Sequence, residues 1–133
     1  MTAVFADTSF FIAFPCEDNA DHNAALKAMT ELSADIVTTQ WVLVEVGNFL
    51  RKQSLRSRYA PFVERLTANP HVQIRFGDKE SFQAGLKLYA DRSDKDWSLT
   101  DCISFAVMGE SGIREALTTD HHFVQAGFHA LLV

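Results

Sequence analysis

The sequence predicts an α/β fold: a mostly parallel central sheet of four to five strands flanked by helices, in a Rossmann-like three-layer sandwich. Two observations carry this. Short apolar segments alternate with stretches of helical period along the chain, which is the pattern parallel strands and their crossover helices leave in a sequence. Two of those apolar segments also run straight into an acid, Val4-Phe5-Ala6-Asp7 and Leu117-Thr118-Thr119-Asp120. Open parallel sheets hold ligands just beyond the carboxyl ends of their strands. A length of 133 residues sets one domain over 1–133 as the expectation.

The elements follow in order. Residues 3–7 are a short buried strand, and Thr8-Ser9 opens a short apolar helix, Phe10–Phe14, stopped at Pro15. Over 20–33, Ala24, Leu26, Ala28, Met29 and Leu32 alternate with polar residues at helical spacing. Ile36-Val37-Thr38 is a second strand. Apolar residues almost encircle the helix expected over Trp41–Lys52, which predicts that it is largely buried. A helix over 58–68 carries Pro61 in its first turn, where a missing N–H costs little. Val72–Phe76 alternates as a strand does, followed by a helix over 79–91 and a polar loop at 91–96. A helix from Leu99 to about Glu110, a strand at Ala116–Thr119, a short helix at His121–Gln125 and a strand at His129–Val133 complete the chain.

Composition narrows the function classes. With 47% hydrophobic and 22% charged residues the chain is an ordinary globular one. A net charge of −5 argues against a phosphate binder held by surface charge alone, unless several acids share divalent cations and so invert the local field. Cys16 and Cys102 form no CxxC pair, which suggests a reducing compartment. The first basic residue is Lys27 and no apolar run approaches the roughly 18 residues of a membrane span, so cytoplasm is the expected location. There is no GxxxxGK[ST] loop, HExxH or GxSxG elbow.

Four acids stand in surroundings that call for a reason. Asp7 and Asp120 end apolar strands, Glu45 interrupts the apolar run Trp41–Val46, and Asp101 opens an apolar helix in Ser98-Leu99-Thr100-Asp101-Cys102. Asp96, in the preceding loop, is a fifth candidate. Taken singly, each has a plain structural explanation: Asp7 and Asp120 as helix caps, Ser98-x-x-Asp101 as a capping box, and Glu45 with Asn48 and Lys52 as a solvated stripe. One carboxylate-lined pocket explains all four together. Adjacent carboxylates resist joint ionisation, and a hard divalent cation such as Mg²⁺ or Mn²⁺ removes that conflict for an all-oxygen set. A metal so held orients a water and stabilises charge on a phosphoryl oxygen. The adjacent His121-His122 are not read as a ligand pair, and Cys102 is read as a small buried residue rather than a nucleophile.

In these residues the chain resembles the PIN-domain nucleases and, within them, the VapC-like toxins of type II toxin–antitoxin systems. The matching stretches are Asp7-Thr8-Ser9, Val44-Glu45-Val46, Asp96-x-Ser98-x-x-Asp101-Cys102 and Leu117-Thr118-Thr119-Asp120-His121-His122-Phe123, continued by Gln125-Ala126-Gly127-Phe128. The resemblance implies a PIN-like fold and a Mg²⁺-dependent endoribonuclease whose catalytic and metal-binding residues are Asp7, Glu45, Asp101 and Asp120. Asp96 and the Thr118 hydroxyl take supporting roles in it. Ser9 and Thr118 read either as hydroxyls that hydrogen-bond a carboxylate or a phosphate or as backbone-capping and turn-bonding hydroxyls. The resemblance also implies a homodimer and a cognate antitoxin protein. Phe10, Phe11 and Phe14 with the helices around 41–66 are candidate contact surfaces for such a partner, and burial in the core is the alternative expected for at least one of the three phenylalanines.

Between Val46 and Val63 there is no acid, yet Arg51, Lys52, Arg56 and Arg58 fall there. They read either as a solvated helix end or as a rail for the RNA backbone, which Arg92 and Lys95 would extend. Tyr59 and Trp97 are read as packing residues, with stacking on unpaired bases as the functional alternative. Two other function classes remain open at this point: a non-catalytic RNA- or protein-binding module of the same fold, and a phosphoryl-transfer enzyme using Asp7 as nucleophile.

Overall fold

The computed structural model describes residues 2–133. Its strands are β1 (Ala3–Ala6), β2 (Asp35–Thr39), β3 (Val72–Arg75), β4 (Glu115–Leu117) and β5 (His129–Ala130). Between them lie α1 (Thr8–Ala13), α2 (His22–Glu31), α3 (Gln40–Phe49), α4 (Gln53–Arg56), α5 (Tyr59–Ala68), α6 (Lys79–Asp91), α7 (Leu99–Ser111) and α8 (His121–Gln125). All five strands are parallel in the order β3-β2-β1-β4-β5, so the expected mostly parallel sheet is entirely parallel.

The order explains where a ligand would sit. From β1 the chain builds outward through β2 to β3, then returns to the other side of β1 for β4 and β5. The direction of build-up reverses between β1 and β4, and a crevice opens there at the carboxyl ends of the strands. The Asp7 amide donates to the Leu117 carbonyl at 3.1 Å, carrying the β1–β4 pairing one step into that crevice. On the other side of β1, the buried Thr38 hydroxyl donates to the Ala6 carbonyl at 2.8 Å, and the Thr39 hydroxyl caps α3 by accepting from the Val42 amide. Glu45 therefore rides on a helix that starts directly from the end of β2.

Val4, Phe5 and Ala6 of β1 are buried, as are Ala116 and Leu117 of β4, because the sheet is covered on both faces. On one face Phe105 of α7 stands edge-on to Phe123 of α8, with ring centroids 4.9 Å apart. Helices α6 and α7 approach closely at Gly85, where a Cβ would meet the Ile103 backbone at 2.8 Å.

Several sequence expectations shift. Helix α3 ends at Phe49 rather than Lys52 and is not largely buried: Val42, Leu43 and Val46 face the core, while Val44 and Phe49 are about half exposed, at 50% and 51%. The chain then forms the one-turn helix α4, too short and polar to show a period. Strand β4 ends at Leu117, because the Thr118 side chain turns to the crevice, and β5 covers only two of the five residues expected. Trp97 and Tyr59 both pack. The Trp97 indole N–H donates to Gln125 Oε1 and its ring stands edge-on to Phe105; the Tyr59 hydroxyl donates to the Leu43 carbonyl. Phe10 and Phe11 are buried, whereas Phe14 is partly exposed against Phe10.

Candidate metal centre

At the β1–β4 crevice an open groove of about 510 Å³ is lined by Asp7, Glu45, Asp96, Asp101 and Asp120, with Thr8, Ser9, Ser98 and His122 between them. The acids come from four separate parts of the chain: the end of β1, the middle of α3, the start of α7 with its preceding loop, and the turn after β4. Asp7 and Asp101 are buried, Glu45 and Asp120 half-buried, and Asp96 exposed at the rim.

The hydrogen bonds within the groove follow one rule: neutral donors engage one oxygen of each of the four inner carboxylates. Asp7 Oδ2 accepts from the Thr118 hydroxyl at 2.9 Å and from the Ser9 hydroxyl at 3.3 Å. Glu45 Oε1 accepts from the Thr8 hydroxyl. Asp101 Oδ2 accepts from the Ser98 amide at 3.1 Å and lies 3.0 Å from His122 Nδ1. Asp120 Oδ1 accepts from the His122 amide at 2.8 Å. No side-chain donor occupies Asp7 Oδ1, Glu45 Oε2, Asp101 Oδ1 or Asp120 Oδ2 among the described residues, which leaves one oxygen of each for a cation.

Ser9 and Thr118 also tie the two sides of the crevice together. Their hydroxyls lie 3.2 Å apart, the Ser9 hydroxyl accepts from the Thr119 amide, and the Thr118 hydroxyl accepts from the Asp120 amide. Both hydroxyls thus receive one backbone N–H and donate to Asp7, an arrangement that fixes their direction.

The capping explanations hold for two of the four acids. Ser98 and Asp101 form a complete capping box on α7, and Asp120 caps α8. Asp7 occupies the cap position of α1 but makes no capping bond with its side chain. Its carboxylate accepts instead from the Ser9 and Thr118 hydroxyls.

The electrostatics register the crowding. Burial raises the Asp7 carboxyl pKa to about 6, against the bonds from the Thr8 amide and Thr118 hydroxyl, and the charges of Asp101 and Glu45 push it further up. Burial likewise raises Asp101, opposed by His122 and Ser98 and reinforced by Asp120. Burial lowers the His122 imidazole, but its bond to Asp101 and the charges of Asp120, Asp101 and Asp96 outweigh that and raise it. A set of four carboxylates, two of them buried, fits a hard divalent cation by its donor chemistry and by its need for a counter-charge. Among the described residues, Asp101, Asp120 and His122 offer ligand atoms that all lie within 4.8 Å of one another. His122 is the residue that sequence reasoning left out. Its signal was its place in the first turn of α8, since helical side chains lean back toward the helix N-terminus.

The basic residues lie apart from the groove. Arg51, Lys52, Arg56 and Arg58 are exposed around α4, and none lines the acidic groove. Arg51 donates to the Asn48 carbonyl and Arg56 to the Arg51 carbonyl. Arg58 borders a second cleft, of about 740 Å³, which shares Ile12 with the acidic groove and is also lined by Glu17 and Asp18. Arg92 pairs with Asp94 and lies over the Trp97 ring, so it is committed locally.

Asp7 makes a prediction with a definite sign. In the unfolded chain its pKa is near 3.8 and in the folded, metal-free protein about 6. The folded state therefore binds more protons between those values, and stability falls as pH rises through that window. Above pH 6 the cost is fully present, about 3 kcal/mol. In EDTA at pH 7.5, Asp7→Asn melts several degrees above the wild type, and the gap closes as pH falls from 6 to 4. A wild type that melts at or above the variant at pH 7.5 contradicts this placement of the charge.

The family model described as PIN domain matches residues 4–129. The chain is 29% identical over 126 residues to the 23S rRNA-specific endonuclease VapC20 of Mycobacterium tuberculosis strain ATCC 25618 / H37Rv, covering 94% of this chain and 95% of that one. The VapC20 of strain CDC 1551 / Oshkosh gives the same figures. The crystal structure of M. tuberculosis VapC20, described as a Sarcin-Ricin loop cleaving toxin, superposes with a TM-score of 0.86 at 26% identity, over 94% of this chain and 95% of that one. FitAcB from Neisseria gonorrhoeae superposes with a TM-score of 0.67 at 16% identity over 96% and 94%, a likeness of fold. With the match spanning nearly its whole length, the chain belongs to the PIN-domain family.

Proposed function

We propose that this protein is a divalent-metal-dependent endoribonuclease, using Mg²⁺ or Mn²⁺, and the toxin of a toxin–antitoxin pair acting in the cytoplasm. The observation that carries the reading is the convergence of Asp7, Glu45, Asp101 and Asp120 on one groove, each with an oxygen left clear of side-chain donors. The VapC20 relatives, described as 23S rRNA-specific endonucleases, make 23S rRNA the first substrate to test.

In this reading Asp7 and Asp101, the two buried acids, hold the cation directly, and Glu45 and Asp120 complete the carboxylate shell. The bound cation supplies a Lewis acid for the phosphoryl oxygen and lowers the pKa of a nearby water. Thr8, Ser9 and Thr118 keep two of the carboxylates, Glu45 and Asp7, in fixed rotamers, which lowers the reorganisation needed when substrate arrives. The attacking water would give its proton to one of the two less buried acids, Glu45 or Asp120, as its oxygen bonds to phosphorus and the P–O bond to the leaving ribose oxygen breaks, that oxygen taking a proton from solvent. Asp96 stands at the rim, where its charge adds to the field that draws the cation in. Cys102 takes no part: it is buried, and burial pushes its thiol pKa up. Arg51, Lys52, Arg56 and Arg58 bind the RNA backbone as it approaches past Ile12.

Two protein partners complete the reading. A cognate antitoxin covers the apolar cleft lined by Phe11, Val46, Leu50, Leu55 and Phe62, which borders the acidic groove at Ile12. A second copy of the chain covers the stripe Phe82, Leu86 and Tyr89 on α6 together with Phe76, residues 36–63% exposed, beside Trp41, whose ring lies 5.8 Å from Phe82. Apolar side chains at i, i+4 and i+7 left facing water mark an interaction face.

Purified wild type is expected to cleave 23S rRNA with Mg²⁺ or Mn²⁺ and not with EDTA, and its induction alone in a bacterial host to arrest growth. Asp101→Asn abolishes both while remaining folded, as expected for removing a metal-bound carboxylate. Run over a salt series, the RNA-binding arm shows a shallower slope for Arg51→Ala with Arg56→Ala. RNA binding without cleavage under every metal condition points instead to a non-catalytic binding module. For the α6 face, light scattering gives a dimer for the wild type and a monomer for Phe82→Glu with Leu86→Glu; a wild-type monomer overturns that assignment.

A further inference from the structure

The His122 side chain lies against two of the acids of the groove at once. Its ring Nδ1 lies 3.0 Å from Asp101 Oδ2 and 3.4 Å from Asp120 Oδ1, and its own amide donates to that same Asp120 oxygen at 2.8 Å. Asp101 Oδ2 also receives the Ser98 amide at 3.1 Å, so the two donors together fill the lone pairs of that oxygen. A carboxylate held by two donors on one oxygen cannot swing, and its second oxygen keeps a fixed direction. With Ser98 alone, Asp101 retains its capping box but gains freedom to rotate about its Cβ–Cγ bond.

We infer that His122 is a positioning residue of the metal centre: with its proton on Nδ1 it locks Asp101 and Asp120 side by side so that their other oxygens meet the cation. This rests on the metal-site reading above and adds to it a residue that acts through the ligands. The Nδ1–H donor suffices for the task, and Nε2 takes no part. Asn and Gln therefore separate the two ring nitrogens, because an Asn amide N–H falls near the place of Nδ1 and a Gln amide near that of Nε2. The His122 side chain is 29% exposed, so these replacements empty no core.

The test is Mn²⁺ binding to the purified protein without RNA, measured by calorimetry, with thermal melts as a control for folding. His122→Ala is expected to weaken Mn²⁺ binding about 10- to 100-fold, the range for removing a partner that orients a ligand. His122→Asn is expected to restore binding to within about threefold and His122→Gln to behave as Ala, since only the first replaces the Nδ1 donor. Pulsed electron paramagnetic resonance of the wild-type Mn²⁺ complex should show no directly bonded ¹⁴N. Unchanged affinity in His122→Ala overturns this inference while leaving the metal site standing. A directly coordinated imidazole nitrogen overturns it in favour of His122 as a ligand. A wild type that binds no Mn²⁺ overturns it together with the metal-site reading.

Discussion

Burying a carboxylate at the end of the central strand is the cost around which this structure is arranged. Asp7 follows β1, the middle strand of five, and lies where the sheet's order reverses. It makes no capping bond and no ion pair with a basic residue among the described residues. An ionised carboxylate in that position is unfavourable unless it is hydrogen-bonded and neutralised. Thr118 and Ser9 supply the hydrogen bonds, and the neighbouring acids make the charge problem worse. A cation held there would relieve that cost and so tie metal binding to stability.

The same side chains hold the fold and shape the groove. Ser98 and Asp101 start α7, Asp120 starts α8 and Thr39 starts α3. A capping carboxylate uses one oxygen for the backbone and keeps the other, so a helix start at the mouth of a crevice fixes a ligand oxygen at no further cost in rotamer entropy. This is why the structural and functional explanations of Asp101 and Asp120 are not alternatives. Glu45 is different: the middle of a helix offers no cap, and its orientation comes from Thr8 across the crevice. Placement of Glu45 therefore depends on the tertiary packing of α1 against α3, whereas Asp120 is oriented within its own segment and Asp101 by its capping box together with His122.

Much of this was legible in the residues themselves. The central strands announced themselves as apolar runs ending in an acid, and Glu45 as a charge inside an apolar helix, because both patterns violate the expectation for burial. What stayed hidden depends on side-chain direction or on weak local signals. The turn of α4 has no period to detect. Val44 and Phe49 looked like core because an apolar residue carries no mark of whether its face of the helix has a neighbour. His122 escaped because two adjacent histidines do not point the same way, and the partnership with Asp101 spans 21 residues. Arg51, Lys52, Arg56 and Arg58 are exposed around α4, but none lines the acidic groove, and Arg58 borders a separate cleft.

The most direct measurement is the anomalous signal from Mn²⁺ in crystals of the wild-type protein. The account predicts a peak in the groove within about 2–2.5 Å of an oxygen from both Asp7 and Asp101. Well-diffracting crystals at saturating Mn²⁺ with no peak among these carboxylates, or with peaks only at surface acids elsewhere, contradict it.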